Sequence, residues 1–138
     1  MIPKAQILQA SLVQELQPTT IEKDYVLGWV LYAISQHPSA SKWVFKGGTC
    51  LKKCFFETYR FSEDLDFTIP VDEPYDGQSI SQTIREVVER VESESGIELP
   101  RDRVTVEEFP TLRGNISFRV KTPFVGPLQM PRRSLQKK

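Results

Sequence analysis

The hydrophobic positions of this chain follow two rhythms. Ile7, Leu8, Leu12, Val13 and Leu16 recur at helical spacing behind Pro3, and Pro18 is expected to end that first helix. Thr19 and Glu22 have the spacing of a capping box and open a second helix, whose stripe is Val26, Leu27, Val30, Leu31 and Ile34. His37-Pro38 closes it. Trp43-Val44-Phe45 is a short apolar run cut off by Gly47-Gly48, the pattern of a buried strand. Residues 49–55 can start a helix with Leu51, Cys54 and Phe55 available for packing. From Leu65 to Ile69 the chain alternates. Leu65, Phe67 and Ile69 share one strand face, while Asp64, Asp66 and Thr68 share the other. After a loop from Pro70 to Gln78, the period predicts a long amphipathic helix, Ser79 to Ser95, with Gly96 as its C-cap. Arg103 to Phe109 and Asn115 to Lys121 predict two strands joined as a hairpin. This order predicts an α+β fold, a small mixed sheet flanked by helices.

Composition narrows the picture little, but charge distribution does more. A chain of 138 residues suits one domain or the front part of a larger one. The 18 basic and 18 acidic residues cancel. Residues 1–100 hold 9 Lys/Arg against 15 Asp/Glu, and residues 101–138 hold 9 against 3. The basic end suits a polyanion such as RNA, and equally suits balancing an acidic metal site or a solvated tail. Cys50 and Cys54, at helical spacing, read as reduced thiols, and His37 is the only histidine, which argues against a zinc centre. No apolar run is long enough to span a bilayer and no signal-peptide pattern opens the chain, so a cytoplasmic protein away from membranes is expected.

The chemistry is concentrated in two short motifs. Lys46-Gly47-Gly48-Thr49 follows a strand and precedes a helix pattern. Paired glycines let the backbone approach a ligand, and successive N–H groups can cradle phosphate oxygens, with the Thr49 hydroxyl and the Lys46 ammonium as further donors. The spacing is not that of a Walker A loop. Asp64 and Asp66 lie about 6.6 Å apart along one strand face, where two like charges repel unless a cation lies between them. Hard oxygen ligands suit Mg²⁺ or Mn²⁺. A turn glycine pair and a solvated Asp-x-Asp are the plain readings of each motif alone. Together the motifs point to a nucleotidyl-transfer centre. A sugar-nucleotide glycosyltransferase and an aspartyl phosphatase also use Asp-x-Asp, but the upstream Gly-Gly-Thr turn argues against the first and the chain shows no clear remainder of the second's site. Glu63 ranks below the two aspartates as a ligand.

The stretch from Phe45-Lys46-Gly47-Gly48-Thr49-Cys50-Leu51 through Arg60-Phe61-Ser62-Glu63-Asp64-Leu65-Asp66-Phe67-Thr68 closely resembles the nucleotidyl transferase AbiEii/AbiGii toxin family of polymerase-beta-like nucleotidyltransferases. Glu22-Lys23-Asp24-Tyr25-Val26 resembles the family's N-terminal helix segment, and the resemblance covers most of residues 18–125. It implies a nucleotidyltransferase-like fold, metal-dependent transfer from a nucleoside triphosphate (NTP), and the toxin of a toxin–antitoxin or phage-defence pair. It also implies a cognate antitoxin and an RNA acceptor, tRNA among the candidates, or a protein acceptor. By the same resemblance Gly47, Gly48 and Thr49 match the phosphate turn, and Asp64 and Asp66 match the first two metal-binding carboxylates. The family pattern has a third carboxylate on a later strand. Residues 131–138 resemble the lead-in to that strand, and Glu107 and Glu108 are poor substitutes by position. The expected organisation is therefore the N-terminal part of a nucleotidyltransferase-like domain over 1–138, incomplete at its C-terminus. Within it, 1–37 form a helical lead-in and 126–138 a basic tail or truncated strand lead-in. The alternative is a catalytically incomplete fragment that binds a partner or a nucleotide.

Overall fold

The computed structural model describes residues 1–46, 65–70, 72–110, 116–129 and 133–137. Two helices come first, α1 (Lys4–Gln14) and α2 (Pro18–Ser35), followed by a 3₁₀ turn (Ala40–Lys42). Then come β1 (Val44–Lys46), β2 (Asp66–Thr68) and α3 (Gly77–Ser95). A second 3₁₀ turn (Arg101–Arg103) leads into β3 (Thr105–Pro110), β4 (Ile116–Phe124) and β5 (Arg133–Lys137). The expected α+β class is the class observed. Within the described residues the strands form two antiparallel sheets, β1–β2 and β3–β4–β5, rather than one mixed sheet. The expected helix over residues 49–55 and the connection between β3 and β4, residues 111–115, lie outside the described residues.

The main core lies between α2, α3 and the two sheets. Val26, Leu27, Val30 and Ile34 of α2 meet Ile80, Ile84, Val87 and Val91 of α3. Phe118, Val120 and Phe124 of β4 close the same cluster, and Phe45 and Phe67 pack against it. Helix α3 begins two residues before its apolar stripe predicts, because Asp76 caps it: its Oδ1 accepts from the Ser79 backbone N–H at 2.9 Å and its Oδ2 from the Ser79 hydroxyl at 2.8 Å. These hydrogen bonds hold the Asp76 carboxyl below the usual carboxylate value. At the other end Gly96, at φ 81°, takes the left-handed conformation that a side chain would oppose.

The N-terminal helices depart from expectation in three ways. Pro18 does not terminate α1 but opens α2 at its first position, where its missing N–H costs nothing. Helix α1 ends earlier, at a left-handed Glu15, and the Ser11 hydroxyl donates to the Leu16 carbonyl across that turn. Only Ile7 and Ser11 of α1 are buried; Leu12 and Val13 are 81% and 76% exposed. The capping box also fails. Glu22 turns inward, is 1% exposed, and accepts a hydrogen bond from the Leu128 backbone N–H at 2.8 Å.

The hairpin expected over 103–121 is present as β3 and β4, from Thr105 opposite Lys121 to Pro110 opposite Ile116. Strand β4 continues to Phe124 because β5 pairs with its far half, Val120 opposite Lys137 and Phe124 opposite Arg133. Pro123 is tolerated there since β3 does not reach it.

Candidate functional site

Strands β1 and β2 set one charged residue of each sequence motif opposite the other. Their antiparallel register sets Val44 opposite Thr68, Phe45 opposite Phe67 and Lys46 opposite Asp66. Alternation then divides the ribbon into two faces. On the inner face the Phe45 and Phe67 rings stack at 5.3 Å between centroids, and Trp43 meets Phe67 edge-on at 5.9 Å. Leu65, just before β2, is fully buried. These contacts pin the ribbon to the core and send Lys46 and Asp66 to the opposite face, with Lys46 exposed and Asp66 half-buried.

Lys46 is the last residue of β1 and Asp66 the first of β2. The chain therefore leaves the ribbon toward Gly47 and returns from Asp64 at one and the same end. Gly47, Gly48, Thr49 and Asp64 themselves lie outside the described residues, as do Cys50, Cys54 and Glu63. Directly opposed strand residues have Cα atoms about 4.5–5.5 Å apart. Among the described residues neither the Lys46 nor the Asp66 side chain has a hydrogen-bond or ion-pair partner. A half-buried carboxylate without a partner keeps its lone pairs open to a cation, and a free ammonium opposite it keeps its protons open to an anion. Asp66 thus has the donor chemistry a hard divalent ion takes, although no cluster of three metal-ligating side chains occurs among the described residues.

Other charged residues are already engaged. Glu107 sits opposite Arg119 on the β3–β4 pair and lies 3.8 Å from Lys121, on a different sheet from Asp66. Arg90 and Glu94 pair one helical turn apart on the exposed face of α3. His37 is a turn residue: its Nδ1 accepts from the backbone N–H groups of Ser39 and Ala40 at 3.0 and 3.1 Å, and its Nε2 faces Glu86 at 3.4 Å. It lines a cleft of about 440 Å³ with Trp43, Gln82 and Glu86, on the α3 side of the ribbon. The residue that sequence reasoning misread is Glu22, whose capping-box spacing hides a buried role.

A helix-backed strand pair that sets a half-buried carboxylate opposite a lysine belongs to an α+β domain. The model of the nucleotidyl transferase AbiEii toxin family, of type IV toxin–antitoxin systems, matches residues 29–134, and the chain belongs to that family. It is thus a nucleotidyltransferase-family toxin, and membership of a toxin–antitoxin family implies an antitoxin partner. Comparisons with curated proteins and with solved structures gave no match. Among the described residues no helix is long and apolar enough to cross a membrane.

Proposed function

We propose that this chain is a metal-dependent nucleotidyltransferase acting in the cytoplasm in toxin–antitoxin or phage defence. It transfers a nucleoside monophosphate from an NTP to an RNA acceptor, tRNA being one candidate, or to a protein. The observation that supports the reading is the β1–β2 register, which sets Lys46 opposite Asp66, neither side chain having a hydrogen-bond or ion-pair partner among the described residues. Family membership supports the reaction class.

In this reading an acceptor hydroxyl attacks the α-phosphorus. A new P–O bond forms to the acceptor oxygen, whose proton passes to water, the bond from the α-phosphorus to the bridging oxygen breaks, and pyrophosphate leaves with that electron pair. Mg²⁺ or Mn²⁺, when bound, neutralises charge on the phosphates and lowers the pKa of the attacking hydroxyl. Asp64 and Asp66 are the residues that would hold it. The backbone of Gly47 and Gly48 and the Thr49 hydroxyl bind the outer phosphate oxygens, and Lys46 adds positive charge beside them. The aromatic inner face of the ribbon keeps Asp66 in place, so that little reorganisation is needed as charge develops.

The test is transfer of α-phosphate-labelled NTPs into total RNA and into a protein mixture, with Mg²⁺ or Mn²⁺. Label in RNA or in protein supports the reading and identifies the acceptor class. Saturable NTP binding with no label transferred would instead make the chain a nucleotide-binding module.

A further inference from the structure

The buried carboxylate of Glu22 has no place in the chemistry above, yet burying a charge is costly unless it is well held. It lies near the N-terminal end of α2 and reaches residues more than a hundred positions away. Its Oε2 accepts from the Leu128 backbone N–H at 2.8 Å. The Gly126 backbone comes so close that a Cβ there would stand 3.0 Å from Oε2, 3.1 Å from Cδ and 3.2 Å from Cγ. Gly126 and Leu128 belong to the connection between β4 and β5, which also closes on itself through Gln129 N–H to the Gly126 carbonyl at 2.9 Å. Leu128 packs with Ile7 of α1 and Ile21 of α2 in a small core of its own.

Strand β5 is held laterally by β4, in a register that begins at Phe124, two residues before Gly126. Strand β4 in turn contributes Phe118 and Val120 to the cluster against which Phe45 and Phe67 pack. We propose that Glu22 is a positioning residue. It latches the β4–β5 connection to α2 and so fixes the three-stranded sheet against the core that carries the Lys46–Asp66 ribbon. Glu22 touches neither Lys46 nor Asp66, so its effect on turnover would act through the sheet; that part of the inference rests on the proposed transferase reading.

The experiment compares E22A, E22Q and G126A by amide hydrogen exchange and by label transfer, using the full chain. Gln keeps a carbonyl acceptor for Leu128 N–H, Ala removes it, and G126A crowds the carboxylate with a Cβ. In E22A and G126A, exchange at Leu128 and across β5 is expected to quicken by about tenfold or more, while Val87 and Val88 in α3 keep their protection. E22Q is expected to stay close to wild type. In the transfer assay, E22A is expected to lower kcat with KM for the nucleotide changed by less than about twofold, and E22Q to restore it. Uniformly faster exchange through α3 as well as β5, or unchanged exchange at Leu128, would overturn the latch, as would E22Q behaving like E22A. A wild-type chain that transfers no label would refute the proposed function, while the exchange pattern would still decide the latch.

Discussion

The two sheets treat charge in opposite ways. On β3–β4, Glu107 faces Arg119 and lies near Lys121, and the Arg119 guanidinium sits over the Phe109 ring at 5.4 Å. On β1–β2, a carboxylate and an ammonium stand directly opposite each other, and among the described residues neither is engaged. The longer sheet uses its charges on its own surface, where such pairs add little stability. The three-residue ribbon is held by Phe45, Phe67 and Trp43 on its inner face and leaves its charges uncommitted. The contrast teaches where to look for chemistry in this fold: at the charges the structure does not spend on itself.

The largest expected effect is on turnover. D66N removes an open carboxylate while keeping shape, and should cut label transfer by about a hundredfold or more. Equal transfer by D66N would break the contrast outright. L65A tests what holds the ribbon. Leu65 is fully buried, so its truncation should destabilise the fold by about 2–5 kcal/mol in urea unfolding. A smaller effect concerns pH. Hydrogen bonds from Ser79 depress the Asp76 carboxyl in the folded state, so its contribution is present above the ordinary carboxylate pKa of the unfolded chain. That contribution is lost as pH falls through the depressed folded value. Wild-type stability should therefore decline more steeply than that of D76N on acidification, a comparison made by thermal unfolding across the acid range. Least affected should be E107Q. Its exposed pair with Lys121 is worth less than about 1 kcal/mol, and urea unfolding should barely distinguish it from wild type.

Parts of this molecule were legible because local rules and tertiary packing agree. Helix α3 has a strong apolar period, and its buried residues include the predicted Ile80, Ile84, Val87, Val88 and Val91 with Gly96 at its end. The alternation of Leu65, Asp66 and Phe67 likewise told the ribbon's inner face from its outer one. Strand β5 was harder. Arg-Ser-Leu-Gln-Lys has no clear alternation, and its strand form comes from pairing with β4 rather than from its own pattern. On α1 the apolar positions spread wider than the contact with α2, so Leu12 and Val13 stay exposed. Glu22 was misread because capping-box spacing is a local signal, whereas its partner is brought close only by the fold. The opposition of Lys46 and Asp66 was invisible for the same reason: each motif is local, but the register between them is not.

The most direct measurement sets wild type, D66N and E107Q side by side in one transfer assay, with α-labelled NTP, divalent metal and total RNA. Wild type and E107Q are expected to transfer label and D66N to lose transfer, with all three equally folded by circular dichroism. Transfer that survives in D66N, or that fails equally in E107Q, would contradict the assignment of the open carboxylate on the β1–β2 ribbon as the reactive one.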